Sequence, residues 1–130
     1  MGWAHVAEWV GRCLLALYMA VGVWNNTTGF ADTIGLMKNK IGLPMPAVLL
    51  SIVIVYEIVS VVCLFIPATA MYSALILALW CVVAPSLAHT WWQMPAGPMP
   101  VGEMRFLHKN LWFGNLAIAG GYLVLAFTPF

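Results

Sequence analysis

The sequence predicts an all-α membrane protein, a four-transmembrane-helix antiparallel bundle with two longer loops on one side. Three observations predict it. Hydrophobic residues make up 64% of the chain and charged residues 7%, whereas about a quarter of a soluble domain is charged. Residues 46–66, PAVLLSIVIVYEIVSVVCLFI, form one apolar run with Glu57 at its centre. About 20 residues at a rise of roughly 1.5 Å each cross a hydrocarbon core of roughly 30 Å, so this run is a membrane helix. Three further apolar runs, separated by turn signals, extend the pattern over residues 1–130 as a single domain, with helices at about 4–24, 47–66, 70–91 and 104–127.

The first helix covers residues 4–24 and stops at the polar stretch Asn25-Asn26-Thr27-Thr28-Gly29. Its lead segment carries Glu8 and no lysine cluster, and no small-x-small cleavage site follows, so it reads as a helix and not as a leader peptide. Gly11, Leu15, Tyr18 and Gly22 share one face, where the glycines would admit a close neighbour. Arg12 has two readings. Either it pairs with Glu8 one turn earlier and snorkels to the surface, or it faces the bundle.

Residues 30–46 form the first long loop, with Ile34, Met37 and Ile41 spaced as a short amphipathic stretch lying in the interface. The turn sequence Gly42-Leu43-Pro44-Met45-Pro46 leads into the second helix, with proline suited to its first turn. Pro67-Ala68-Thr69 is a tight return, making the second and third helices antiparallel neighbours. In the third helix Pro85 removes the hydrogen bond to Cys81 and predicts a kink one turn before His89, with Ser86 placed to re-satisfy freed backbone. Residues 92–103, with Pro95, Pro98 and Pro100, form the second long loop. The fourth helix opens with Lys109 and Asn110 in its early turns and carries Gly120-Gly121 deeper in.

Four spans place both termini on one side and both long loops on the other. Lys38, Lys40, Arg105 and Lys109 belong to the loop side, so the positive-inside rule puts the loops in the cytoplasm and the termini outside. Trp3, Trp9, Trp24, Trp91 and Trp92 mark the two interfaces as an aromatic belt. The net charge of +1 leaves no footprint for nucleic acid. Cys13, Cys63 and Cys81 never form a CxxC pair and read as buried thiols, not a disulfide framework or a redox dithiol.

Chemistry must therefore come from polar groups inside the membrane. A carboxyl at mid-span is costly unless protonated or paired, and such groups are functional-site candidates by default. Glu57 and His89 are the candidate catalytic residues, as proton-handling groups. Arg12, Lys109, Asn110 and Tyr56 are the candidate ligand-binding residues, with Arg12 and Lys109 within reach of Glu57 as a ladder of polar groups. The competing account is that these groups only glue helices together. His89 and His108 both lie near the loop side on neighbouring helices, but His108 falls one residue off the face that holds Lys109, no HxxxH, ExxH or CxxC spacing exists, and no metal or haem site is expected.

In order, Arg12, Gly22, Phe30, Gly42-Leu43-Pro44-Met45-Pro46, Glu57, His89, Lys109-Asn110 and Gly120-Gly121 resemble the landmarks of the DoxX family of small four-span membrane proteins. Two departures stand out: Asn25 and Asn26 where the family commonly has lysine after the helix 1 glycine, and no basic residue at Pro67-Ala68-Thr69. The resemblance implies a four-helix bundle in a bacterial inner membrane. It also implies kinship with a subunit of a thiosulfate:quinone oxidoreductase or terminal oxidase system. Fold-level analogy does not transfer function.

Three functions compete. The first is a membrane subunit of a quinone-linked redox complex, with a quinone-type headgroup as a non-covalent cofactor and partner redox subunits supplying electrons. The second is a non-catalytic membrane scaffold or assembly factor whose buried polar residues only stabilise the bundle; a homo-oligomer in the lipid bilayer is compatible with every one of these functions. The third is a proton or small-solute conduit.

Overall fold

The computed structural model describes residues 2–130, so Met1, at the head of the expected domain, lies outside the described residues. Four long helices and one short one make up the fold: α1 (Trp3–Thr28), α2 (Phe30–Leu36), α3 (Pro46–Cys63), α4 (Ala70–Ala88) and α5 (Glu103–Ala126). A π-helical turn, Met37–Ile41, continues α2, and a 3-10 turn, Trp91–Gln93, follows α4. No strand occurs among the described residues. Three segments are long and apolar enough to cross a membrane: Trp3–Thr28, Pro46–Cys63 and Ala70–Gln93.

Helix α1 runs four residues past the expected stop at Trp24. The Thr27 and Thr28 hydroxyls donate to the carbonyls of Val23 and Trp24, one turn back, so these turn-prone residues satisfy their polar groups within the helix. The first long loop is correspondingly more helical than expected, because α2 and the π-turn fill it. Gly42, at φ 78°, ends the π-turn in the left-handed region, and the Leu43 N–H donates back to the Met37 carbonyl. Helix α4 ends at Ala88, short of the expected residue 91. His89 leaves helical geometry there, and the Lys40 ammonium, 2.9 Å away, caps the Ala88 carbonyl.

Hydrogen bonds between helices define the neighbours. Ser73 donates to the Ser60 carbonyl at 2.5 Å, and Tyr56 to the Ile76 carbonyl at 3.2 Å, across α3 and α4. The Tyr122 hydroxyl reaches the Leu15 carbonyl at 2.7 Å, and Tyr18 reaches Asn115 at 2.5 Å, across α1 and α5. In both pairs residue numbers rise on one helix as they fall on the other. The most extensive contact is between α4 and α5. Ala70, Ala74 and Ala78 recur at helical spacing on α4 and are buried, as are Ala119 and Ala126 on α5. Without water to drive association, small side chains let the backbones approach and gain dispersion contact. The close approach of α1 and α5 falls at Gly121, where a Cβ would come within 3.2 Å of Leu15. At Gly11 and Gly22, the positions expected to serve this purpose, a Cβ would meet nothing within 4 Å.

Leu64, Ala74, Leu77 and Tyr122 are fully buried and form a closed layer toward the end that carries the tight turn after α3. Truncating this layer leaves a void that packed helices cannot fully close. Leu77→Ala is expected to destabilise the protein by about 2–5 kcal/mol, read as a lowered melting temperature in detergent. An unchanged melting temperature would show that the layer is not packed as described.

Candidate functional site

Above the closed layer, toward the loop end, all four long helices surround a cavity of about 350 Å³. Tyr18, Met19, Gly22 and Asn25 come from α1, Glu57 from α3, Trp80, Cys81, Ala84 and Pro85 from α4, and Leu111 and Asn115 from α5, with His89 at the end of α4. The small residues of α4 and the glycine of α1 leave the space, and Pro85 contributes to it chemically. Proline has no N–H, so the Cys81 carbonyl one turn earlier loses its helical donor, and both residues belong to the cavity wall. Ser86 does not restore that bond; its hydroxyl donates to Val82 at 2.6 Å and accepts from Trp112 at 3.2 Å.

Glu57 is 4% exposed. Its Oε1 accepts the Trp80 indole N–H at 3.1 Å, while Oε2 is buried and makes no hydrogen bond of standard geometry among the described residues, the Asn26 side chain of α1 lying close to the carboxyl. Buried polar atoms are nearly always bonded, so a free carboxyl oxygen in a cavity wall marks a place where a proton, water or ligand completes the set. At the loop end His89 meets His108, Nδ1 to Nδ1 at 2.9 Å. One ring must donate and the other accept, which leaves the second nitrogen of His89 for another partner. Tyr18 donates to Asn115, whose amide donates in turn to the Leu111 carbonyl of its own helix at 2.8 Å.

Of the six residues singled out from sequence, the structure brings Glu57 and His89 to this one cavity and leaves the other four outside its lining. The expected reach of Arg12 and Lys109 to Glu57 is not made. Among the described residues, Glu57 has no ion pair. Arg12 is held at the turn end by Glu8 at 2.7 Å and the Leu64 carbonyl at 2.6 Å, with the Phe130 ring 4.5 Å from its guanidinium carbon. Leu64 lies seven residues beyond Glu57, roughly 10 Å along the helix axis, which separates the two groups. The two readings of Arg12 are thus combined. It pairs with Glu8, yet it is 1% exposed and does not snorkel.

Lys109 is exposed and lies over the Trp91 ring at 5.1 Å from its centroid. His108, not Lys109, faces α4, and one residue on a helix turns the side chain by about 100°. Asn110 is exposed. Tyr56 packs edge-on against Trp80 at 5.6 Å, behind the wall, with its hydroxyl bonded to the Ile76 carbonyl. Sequence reading passed over Asn25, Cys81 and Asn115 as site residues. The signal for Asn115 was present: an amide in a spanning helix needs an internal partner. No group of three His, Cys, Asp or Glu residues that could hold a metal occurs among the described residues.

The apolar helices and the buried polar cavity define a small, all-helical integral membrane protein. The chain belongs to the DoxX family, whose model matches residues 8–90. The match takes in α1 from Glu8, the α2 region, α3 and α4 through His89, and it stops before α5, so the resemblance at Lys109-Asn110 and Gly120-Gly121 lies outside it. No curated protein and no solved structure matches the chain significantly.

Proposed function

We propose that the protein is the membrane-embedded subunit of a quinone-linked redox complex and that the cavity binds a quinone-type headgroup. All four long helices then cross a bacterial inner membrane as an antiparallel bundle, with the loops in the cytoplasm. The observation that carries the reading is the unpartnered Glu57 oxygen in a cavity that also contains His89. The lining holds one carboxyl, one imidazole, one phenol and no lysine or arginine. It therefore favours a neutral ligand with polar groups over an anion such as a sulfur oxyanion. A volume of about 350 Å³ is within the range of small-molecule sites.

When bound, the headgroup supplies a two-electron, two-proton couple, with electrons from a partner subunit. The chain's own residues hold the protons. Glu57 donates a hydrogen bond when protonated and accepts one when ionised, and a histidine does both. His89 is tied through His108 to the loop end, while the layer at Leu64, Leu77 and Tyr122 closes the opposite end. That closure supports a dead-end pocket over a conduit. The scaffold reading retains one supporting observation, the buried Arg12 network, which lies apart from the cavity.

Calorimetric titration of the purified protein with a short-chain benzoquinone tests the reading. Saturable binding at one site per chain is expected. Ala84→Phe, which fills the cavity, is expected to reduce affinity at least tenfold. Unsaturable partitioning, or full affinity in that variant, would remove the pocket.

A further inference from the structure

A separate feature lies outside the cavity, at the start of α5. Arg105 and Lys109 stand one helical turn apart and both lie over the same indole, Trp91, at 5.4 and 5.1 Å from its ring centroid. Trp91 is packed against Trp92, Trp112 and Phe113, an aromatic shelf at the loop end. Three physical considerations show that the indole alone leaves this cation pair without a countercharge. Like charges at i,i+4 repel. Arg105, in the first turn of α5, opposes the helix dipole, which favours anions there. No carboxylate compensates them: among the described residues the ion pairs are those of Glu8 with His5 and Arg12, at the other end. Asp32 and Glu103, the acidic residues of the loop end, pair with neither cation.

Donors remain unused as well. Lys109 makes no hydrogen bond among the described residues, and Arg105 uses one N–H, to the Met94 carbonyl at 3.1 Å. The Trp91 indole nitrogen is buried without an acceptor. A planar guanidinium suits the two oxygens of a phosphodiester, and an ammonium adds a point charge. Tryptophan belts lie at the depth of lipid headgroups, and juxtamembrane basic groups attract anionic lipid. We propose that Arg105 and Lys109 bind the headgroup phosphate of an anionic phospholipid against the Trp91 shelf. The lipid neutralises the cation pair and anchors the start of α5, the long helix not among the three apolar enough by composition to span.

The test uses the purified protein in neutral detergent micelles carrying phosphatidylglycerol or phosphatidylcholine of identical chains, with retained lipid measured by native mass spectrometry. Phosphatidylglycerol is expected to bind at least tenfold more tightly. Each cation near an anionic surface accounts for roughly fivefold in affinity, so Arg105→Gln with Lys109→Gln is expected to erase the preference. Lys38→Gln, a charge loss elsewhere at the same end, is expected to change it by less than about twofold. Should the double variant fail to fold, Lys109→Gln alone is expected to show the single-cation loss. The proposal is overturned by equal binding of the two lipids or by a preference that survives the double variant. An equal loss in Lys38→Gln, or displacement of the lipid by inorganic phosphate at matched concentration, overturns it as well.

Discussion

Exchange of Glu57 for glutamine is expected to weaken binding of a short-chain quinol by about tenfold to a hundredfold while leaving the melting temperature nearly unchanged. The two effects separate because the side chain does two things. Its Oε1 accepts the Trp80 N–H, and a glutamine carbonyl preserves that bond in the same volume. Its Oε2 is the unpartnered atom, and the amide nitrogen that replaces it cannot accept a hydroxyl proton. In its ionised form, the state a glutamine cannot mimic, the carboxylate accepts a hydrogen bond that contributes about 1.5–3 kcal/mol, which sets the range of the loss. His89→Ala is expected to act in the same direction, since it removes the one imidazole of the lining. Native quinol affinity in both variants would end the case for the cavity. A melting temperature that falls with unchanged affinity would move Glu57 to a purely structural role.

Arg12→Ala is expected to produce the opposite pattern, a large loss of stability with ligand affinity intact in whatever folds. The guanidinium is 1% exposed and joins three elements: Glu8 on its own helix, the Leu64 carbonyl after α3, and the ring of Phe130. Removing one member of a buried ion pair strands the other charge, at about 3–5 kcal/mol. Glu8→Gln combined with Arg12→Met removes both charges and is expected to be milder than Arg12→Ala alone. Thermal melts of the three variants check this. A double variant as unstable as the single one would mean that lost packing, and not the stranded carboxylate, dominates. A stable Arg12→Ala that lost quinone binding would return Arg12 to the site.

The difference between these two residues shows where sequence reading reached its limit. Both were evident as ionisable groups in apolar segments, because hydrocarbon makes any charge conspicuous. Their assignment to a common ladder was not supported. Depth along a helix follows from counting residues, but the partner depends on the azimuth of each helix, and a histidine or lysine one position apart points to different neighbours. Thus His108 faces His89, and Lys109 faces the Trp91 shelf. The end of α1 was misplaced for a related reason. Threonine is a turn former in water, yet within a long apolar helix its hydroxyl bonds back to the preceding turn.

The sequence by itself determined the solvent, the helical class, the short return after α3, the deep carboxyl and the family, because each follows from the run of apolar residues and the order of a few landmarks. The tertiary structure alone decided that Glu57 shares a cavity with His89, that Arg12 bonds at the closed end, and that Arg105 and Lys109 share one indole. Those facts depend on how four helices rotate against one another. That rotation is set by small-residue contacts such as Gly121 against Leu15, which composition and periodicity do not encode.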